Sequence, residues 1–427
     1  MFFKHRLQKV KNYFEKRYEH FYILDFGRFS IKAALMERDR KEMDARIVDI
    51  VEVSYPALTI FPEKKDCDLS EVHNVIKDLF SSLKKTKNRI RDKKLVIGLS
   101  SELINGLNYA QIFTRENPNT PIDIGDIKNM IHKLELRAYE EIRKRFMEES
   151  GYAETDVILI NPTIQKLQID GKNVSDLISK EGKEILVSIF NAYAPSFYKD
   201  AIEGIAKNLK FNTYDLIYTP YAVFSALKKQ KDADMHGLLV DIGGGTTRVT
   251  LARRGRIEDI KYFSFGGNSF TGRIANHFNV PESEAENIKI KYCDRKLSSD
   301  ATKSLDDLLQ KELNIFLSGF EMVLRDFSHT TILPSDIYLY GGGGTVGLMD
   351  AIIKKKSWKK DLIFSDSPKL HRINLDTLSS IKFFDIKISD PRLISIAGIS
   401  DYILDNIAKS QTVTEKTLTR IFNLVTS

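Results

Sequence analysis

One short turn motif occurs twice in the sequence, and this repetition constrains the fold more than any other feature. The first copy, Asp-x-Gly-x-x-Ser, occupies residues 25–30, and the second, Asp-x-Gly-x-x-Thr, occupies residues 241–246, an offset of 216 positions (241 − 25). Each copy follows a short apolar run and precedes a second run in which apolar residues recur, the pattern of a strand, a turn and a returning strand. The repetition therefore predicts a duplicated half-domain.

Both turns have the composition of a loop that binds a polyphosphate. Their glycines let backbone N–H groups converge on anionic oxygens, and the neighbouring hydroxyls add donors. An aspartate before each turn would repel phosphate unless a cation lies between them, and a hard divalent ion held largely through water fits that arrangement. The alternative is an ordinary hairpin turn, in which Asp and Gly are common. The candidate binding residues are Asp25, Gly27, Ser30, Lys32, Asp241, Gly243, Gly244, Gly245, Thr246 and Thr247.

A third glycine-rich site follows a predicted strand at Ile337–Tyr340 and precedes a helix predicted from about Val346. A strand, a glycine run and a helix N-terminus together let the backbone approach a nucleotide closely. The run is not a Walker A loop, because no Gly-Lys-Ser/Thr follows it, and it does not match the dinucleotide fingerprint. The alternative is a flexible connection. The candidate residues are Gly341, Gly342, Gly343 and Gly344.

The segment from about 105 to 195 differs from its surroundings. One long predicted helix ends near Gly151, and three strand-like runs follow between 157 and 194, with an Asp170-Gly171 turn after the second. This pattern predicts a small α+β insert. Farther along, the apolar spacing predicts a single long helix over Leu305–Phe327.

The net charge of +7 (65 − 58) comes from short segments rather than from the whole surface. Segments 1–20, 81–94 and 354–360 carry a combined +15, which leaves −8 on the rest of the chain. This distribution argues against a nucleic-acid-binding surface. The two cysteines are isolated, no apolar run reaches 18 residues, and the N-terminus lacks a signal-peptide core, so we expect a cytoplasmic protein without a structural zinc site.

The order of the two aspartate turns and the late glycine run resembles that of the actin-like ATPase superfamily. Within it, residues 266–289 (Gly-Gly-Asn, then Ala-Glu-x-x-Lys) are similar to the FtsA cell-division family. Residues 170–174 resemble the hairpin of the FtsA insert, and Asp390-Pro391 leading into Ala397-Gly398 is a further match. The resemblance covers about 21–408.

This resemblance implies an α/β fold in which two duplicated ribonuclease-H-type domains face each other across a nucleotide cleft that holds ATP and Mg²⁺. It also implies a small α+β insert of the SHS2 type. The expected divisions are 1–20 (basic amphipathic helix), 21–104 (subdomain 1A, completed by 196–235 and 385–410), 105–195 (subdomain 1C), 236–267 and 334–384 (subdomain 2A), 268–333 (a shortened subdomain 2B) and 411–427 (amphipathic tail).

By the same resemblance, Asp25 and Asp241 would organise the water shell of Mg²⁺, and the glycine turns would hold the phosphates. Glu286 and Lys289 would approach the ribose or base, and the run 341–344 would approach the adenosine. Without the resemblance, Glu286 and Lys289 are equally well read as an exposed i, i+3 charge pair.

The chain departs from the family pattern in two places. Residues 218–221 (Tyr-Thr-Pro-Tyr) lack the Glu or Gln that orients the attacking water in many actin-like ATPases, so we expect ATP binding with slow or absent hydrolysis. The region after Cys293 is shortened, which resembles PilM, a scaffold of type IV pilus machines, although the Asp170-Gly171 hairpin favours FtsA. A small-molecule kinase of the same superfamily is an alternative of another class.

Both termini have the apolar spacing of amphipathic helices, and either is a candidate anchor on an anionic membrane. In each case the alternative is a helix packed on the body of the protein. FtsA-like function would place the protein at the cytoplasmic face of the inner membrane, at the septum, with FtsZ-type filaments and further copies of itself as partners. The candidate membrane residues are Phe3, Leu7, Val10, Phe14, Leu418, Ile421, Phe422 and Val425.

Overall fold

The computed structural model divides the chain into two compact units. Unit 1 comprises Met1–Ala226, Leu378–Ile388 and Ser395–Ser427, and unit 2 comprises Leu227–Thr377 and Ser389–Ile394. The residues described are 17–27, 29–41, 44–54, 70–83, 94–100, 104–150, 157–160, 162–211, 213–232, 234–327, 332–343, 359–378, 381–383, 390–409, 414, 417 and 418.

The described part of the chain contains both strands and helices, in mixed order. The strands are β1 Tyr18–Phe26, β2 Ser30–Asp39, β3 Ala45–Ser54, β4 Lys94–Leu99, β5 Asn105–Thr114, β6 Val157–Leu159, β7 Thr163–Ile169, β8 Lys172–Asn173, β9 Glu184–Pro195, β10 Thr213–Tyr218, β11 Gly237–Ile242, β12 Thr247–Arg253, β13 Arg256–Phe263, β14 Asp336–Tyr340, β15 Lys369–Arg372 and β16 Lys382–Phe383. The helices are α1 Ser70–Ser82, α2 Ile124–Ser150, α3 Ser196–Asn208, α4 Thr219–Lys231, α5 Gly267–Phe278, α6 Glu282–Cys293, α7 Ser299–Leu308, α8 Gln310–Arg325, α9 Leu375–Leu378 and α10 Ile394–Lys409.

The main sheet of unit 1 has the strand order β10-β4-β1-β2-β3-β16. β1, β2 and β3 form an antiparallel meander, and β4 pairs in parallel with both β1 and β10. The apolar run predicted as a buried strand lies in β1, where every residue from Phe21 to Phe26 is buried. A continuous apolar run of this kind is expected where both faces of a sheet are covered.

The sheet of unit 2 has the order β13-β12-β11-β14-β15 and the same mixture of antiparallel and parallel pairs. The correspondence extends to single residues. Asp25 pairs across the hairpin with Lys32, and Asp241 pairs with Arg248. An irregularity in register follows Leu35 in the first sheet and Leu251, the residue 216 positions later, in the second. The predicted duplication is therefore confirmed.

A third sheet, made of residues between 105 and 195, has the order β5-β9-β7-β8, with β6 also paired to β9. The turn between β7 and β8 is formed by Asp170 and Gly171, both with positive φ (46° and 78°), which is the hairpin geometry that the Asp-Gly sequence predicts. Helix α2 supplies Ile127, Ile131 and Leu134 to a buried cluster that also contains apolar residues of β7 and β9.

Two secondary-structure predictions were wrong in detail. The predicted N-terminal helix over 1–20 cannot extend through Tyr18–His20, because these residues belong to strand β1. The single helix predicted over Leu305–Phe327 is two helices, α7 and α8, which meet at Leu309. The apolar pattern did not reveal this junction, because Leu305, Leu309 and Leu313 are all buried.

None of the helices in the described ranges combines the length and the apolar content that a membrane crossing requires.

Candidate functional site

The two repeated turns close with the same hydrogen bond. The N–H of Gly27 donates to the carbonyl of Ser30 at 2.9 Å, and the N–H of Gly243 donates to the carbonyl of Thr246, also at 2.9 Å. A Cβ at either glycine would lie 3.0–3.1 Å from that carbonyl oxygen. Each turn is therefore tight at its first glycine, and the sequence repeat corresponds to one repeated backbone geometry.

Asp25, at the end of β1, is buried, with 3% of its surface exposed. Its Oδ2 accepts hydrogen bonds from Ser395 Oγ at 2.6 Å and from Lys32 Nζ at 3.4 Å. Its Oδ1 accepts a hydrogen bond from Thr219 Oγ1 at 3.5 Å. The carboxylate thus has one cationic and two hydroxyl partners from its own unit.

Asp241 occupies the corresponding position in unit 2. Its Oδ2 lies 3.7 Å from Arg248 Nη1, and only 5% of the Arg248 side chain is exposed. Its Oδ1 lies over Gly341, where a Cβ would come within 2.5 Å of that oxygen. Gly341 also has a φ of +97°, a conformation that side chains other than glycine rarely adopt.

The glycines of unit 2 meet in one cluster, which we call the glycine cradle: Gly243, Gly244, Gly266, Gly267 and Gly343. Gly267 and Asn268 donate their N–H groups to the carbonyls of Gly243 and Gly244, at 2.9 and 2.7 Å. A Cβ at Gly266 would lie 2.5 Å from the Gly243 carbonyl oxygen, and a Cβ at Gly267 would lie 3.0 Å from Gly343 Cα. Three separate segments can approach each other here only because they lack side chains.

The start of helix α5 is held by a buried lysine from helix α6. Lys289 Nζ donates to the carbonyl of Gly267 at 3.1 Å and to Thr271 Oγ1 at 2.8 Å. It also lies 2.7 Å from Glu286 Oε2, which accepts a hydrogen bond from Thr271 Oγ1 at 2.5 Å. The interpretation of Glu286 and Lys289 as an exposed pair is wrong for Lys289, which is only 4% exposed. Contact of either residue with a nucleotide stays a prediction.

The structure corrects the role predicted for Thr247. Its side chain is fully buried, and its hydroxyl donates to the carbonyl of Phe265 at 2.7 Å. Thr247 is the first residue of β12, and its hydroxyl joins this strand to the segment before α5. It therefore cannot donate a hydrogen bond to a phosphate in this conformation.

The structure also corrects the membrane role predicted for Leu418. Leu418 is 1% exposed and belongs to the same buried cluster as Ile127 and Leu177, two residues of the segment 105–195 that contains the third sheet. Nearby, Thr414 Oγ1 donates to Asp176 Oδ1 and accepts from the N–H of Leu177 at 3.3 Å. At this residue the alternative, packing on the body of the protein, holds, because a side chain that is buried in the core cannot face a membrane.

Several predicted residues lie outside the part of the chain that the structure describes: Gly344, Phe3, Leu7, Val10, Phe14, Ile421, Phe422 and Val425.

Sequence reasoning missed several contacts that complete the site. Thr219 and Ser395 reach Asp25 from 194 and 370 positions away, a distance at which no local pattern is informative. Gly266 and Gly267 were noted only as a family match. Arg248 had a usable signal, because it follows Asp241 by the same seven positions that separate Lys32 from Asp25.

Comparison with solved structures identifies the class of fold. The PilM-PilN type IV pilus biogenesis complex is similar over 88% of this chain and 96% of the matched chain, with a TM-score of 0.58 and 16% identity. Together with the five-strand order that both sheets share and their matched turns, this similarity establishes the actin-like ATPase fold that the sequence predicts.

Within this class, the sequence is similar to FtsA. Residues 238–313, which include the second turn and the start of α5, match the family model described as cell division protein FtsA. The FtsA of Buchnera aphidicola subsp. Baizongia pistaciae is 36% identical over 93 residues, or 20% of this chain and 22% of that protein. The FtsA of Helicobacter pylori strain J99 is 24% identical over 148 residues, or 35% of this chain and 30% of that protein. The aligned region thus spans less than a third of either relative.

Proposed function

We propose that this protein is an ATP-binding, actin-like scaffold of the FtsA type that serves the cell-division machinery. The observation that carries the proposal is the glycine cradle. Its segments leave no room for a Cβ at Gly266 or Gly343, and four of its five glycines lie within residues 238–313, the stretch that matches the FtsA family model. A backbone stripped of side chains is what close approach to a nucleotide requires.

In this proposal the two turns and the cradle act mainly through their backbones. Gly27 and Gly243–Gly245 would present N–H groups to the phosphates, with Ser30, Thr246 and Lys32 as further donors. The cradle and the run from Gly341 would accept the adenosine. ATP supplies a polyanion, with the Mg²⁺ that it carries bound mainly through water, and the chain supplies orientation.

We propose slow or absent hydrolysis. The segment 218–221 is expected to lie near the attacking water, and its only aliphatic hydroxyl, that of Thr219, donates a hydrogen bond to Asp25. A threonine cannot take a proton from water as a carboxylate can. Robust Mg²⁺-dependent turnover that survives Thr219→Ala and disappears in Asp241→Ala would contradict this proposal.

FtsZ-type filaments and further copies of this chain are the proposed partners. Pull-down of the full chain with the C-terminal tail of FtsZ, with and without ATP, tests the first, and sedimentation with ATP tests the second. Retention of the chain on the FtsZ tail supports the division role. Failure to bind in both conditions argues for the second candidate.

The second candidate is a PilM-like scaffold of a pilus machine. It is favoured by the extent of the fold similarity, which covers 88% of this chain, whereas the two FtsA relatives described above match 20% and 35% of it. Such a scaffold would bind a short peptide from an inner-membrane partner and would ignore FtsZ. Peptide binding measured beside the FtsZ pull-down separates the two.

We further propose that residues 105–195 are the SHS2-type insert and that the N-terminal segment is the membrane anchor, at the cytoplasmic face of the inner membrane. Deletion of residues 1–16 leaves β1 and the Arg17–Asp39 ion pair (2.7 Å) intact. Full-length protein should sediment with anionic vesicles and the deletion variant should stay in the supernatant. Equal sedimentation of both would exclude this anchor.

A further inference from the structure

We infer that Arg248 takes the place of a divalent cation beside Asp241, so that the site binds its nucleotide without an obligatory Mg²⁺. This inference rests on the proposed nucleotide-binding function and revises one part of it, the assignment of Asp241 as an organiser of Mg²⁺.

The first observation is the position of Arg248. It stands directly opposite Asp241 in the β11–β12 hairpin, and its Nη1 lies 3.7 Å from Asp241 Oδ2. Its side chain is 5% exposed, so the guanidinium cannot move into solvent without opening the unit. A buried charge of this kind needs a group of opposite sign nearby, and the Asp241 carboxylate is such a group.

The second observation concerns the other oxygen of the same carboxylate. Asp241 Oδ1 lies so close to Gly341 that a Cβ there would come within 2.5 Å of it. One side of the Asp241 carboxylate therefore faces a cation and the other side faces the backbone at the end of β14.

The third observation is that unit 1 repeats the arrangement. Lys32 stands opposite Asp25 at the equivalent position of its hairpin, with Nζ 3.4 Å from Oδ2. In each unit the aspartate before the turn thus has a cation of its own chain beside it. Because a cationic side chain lies beside the aspartate at the same position in both units, we take this ion pair to be a regular part of the turn.

A guanidinium at this place has two consequences. It neutralises the Asp241 carboxylate with a positive charge that the chain itself supplies. It also repels a divalent ion that approaches the same carboxylate, because like charges at short range in a partly buried site interact strongly. Arg248 is therefore a positioning residue that replaces the metal in neutralising Asp241.

The test measures the affinity of the full chain for ATP by calorimetry in excess MgCl₂ and, separately, in EDTA. We expect the two dissociation constants of the wild-type chain to agree within about threefold. In Arg248→Gln the affinity should fall at least tenfold in EDTA and much less in MgCl₂. Arg248→Lys, which keeps the charge, should stay close to wild type. Arg253→Gln, which alters an arginine of the same strand paired with Glu258 at 3.6 Å, is the matched control.

Melting temperatures of all variants show whether they fold. If Arg248→Gln does not fold, the ATP affinities of the wild-type chain and of Arg248→Lys in the two buffers test the inference. A wild-type chain that loses more than tenfold in affinity on removal of Mg²⁺ overturns the inference and leaves the proposed function standing. The inference is also overturned if a folded Arg248→Gln variant shows the same ratio of dissociation constants, EDTA to MgCl₂, as the wild-type chain. Absence of ATP binding in both buffers overturns the proposed function, and the inference with it.

Discussion

Gly343 packs against Gly243 so closely that a Cβ at Gly343 would lie 2.3 Å from the Gly243 carbonyl oxygen. The N–H of Gly343 also donates to the carbonyl of Ile242, the residue before Gly243, at 2.7 Å. The loop after β14 is thereby joined to the second aspartate turn, and both contacts are made by backbone atoms, which cannot rotate away as a side chain can.

The first prediction follows from this contact. Gly343→Ala should weaken ATP binding at least tenfold and destabilise the protein by about 1–3 kcal/mol, the usual cost of overpacking. Gly272→Ala is the matched control, since Gly272 lies in α5 with no atom within 4 Å of the added Cβ. Alanine there should leave binding unchanged and stabilise the protein by about 0.5–1 kcal/mol, because it favours a helix over glycine. Calorimetry and urea unfolding measure both effects, and equal behaviour of the two variants would contradict the crowding argument.

The second prediction concerns Lys289. Lys289→Met should destabilise the protein by about 1–3 kcal/mol, because the carbonyl of Gly267 and the side chain of Glu286 lose their buried donor. Lys291→Met, at an exposed position of the same helix, should change the unfolding free energy by less than about 0.5 kcal/mol. Urea denaturation provides the comparison. A Lys289→Met variant as stable as wild type would show that the amine does not hold α5 in place.

The third prediction is a dependence of stability on pH. Burial raises the pKa of Glu135, in α2, to about 7 from its ordinary 4.5, against the opposing effect of a hydrogen bond from Asn191. The folded state therefore holds this proton more tightly than the unfolded state. The resulting stabilisation is complete below pH 4.5 and is lost as the pH rises towards about 7.

Glu135→Gln removes this dependence, because the amide stays neutral. The variant should gain on the order of 3 kcal/mol over wild type at pH 8 and almost nothing at pH 4.5. Urea midpoints recorded from pH 4.5 to 8 test this, with Glu140→Gln at an exposed position of the same helix as the control. A gain that is independent of pH would assign the effect to packing.

The fourth prediction concerns the C-terminal segment. Leu418→Ala should destabilise the protein by about 2–5 kcal/mol, as truncation of a fully buried leucine does. It should leave sedimentation with anionic vesicles unchanged. Ile112→Ala, at a side chain that is 58% exposed, should have little effect on either measurement. Loss of vesicle binding in Leu418→Ala, without loss of stability, would restore the membrane role of this residue.

The sequence predicted the features that depend on local chemistry. The two aspartate turns, the Asp170-Gly171 hairpin and the strand entering Gly341 were all visible, because turn residues and apolar runs act over a few positions. The offset of 216 between the two motifs correctly indicated that the sheets are duplicated, and the resemblance to the actin-like ATPase superfamily implied the fold class.

The remaining features depend on contacts between distant segments. The apolar spacing of Leu418 is the same for a residue that faces a membrane and for one that completes a core, so periodicity could not distinguish the two. The hydroxyls of Thr219 and Ser395 reach Asp25 only through the fold. The hydrogen bond from the Thr247 hydroxyl to the carbonyl of Phe265 likewise depends on the direction in which the first side chain of β12 points.

The composition of unit 1 from separated stretches of chain affects how the protein is made. β16 pairs with β3 across more than 330 positions, and Ser395 completes the environment of Asp25 across 370. While the ribosome is still synthesising unit 2, the first sheet therefore lacks its last edge strand, and the carboxylate of its turn lacks one hydroxyl partner. Unit 2 is interrupted only near its end. Nearly all of its residues have therefore been synthesised before the last stretch of unit 1 is added. The nascent chain consequently exposes an N-terminal sheet without its β16 edge strand until residue 383 has been added.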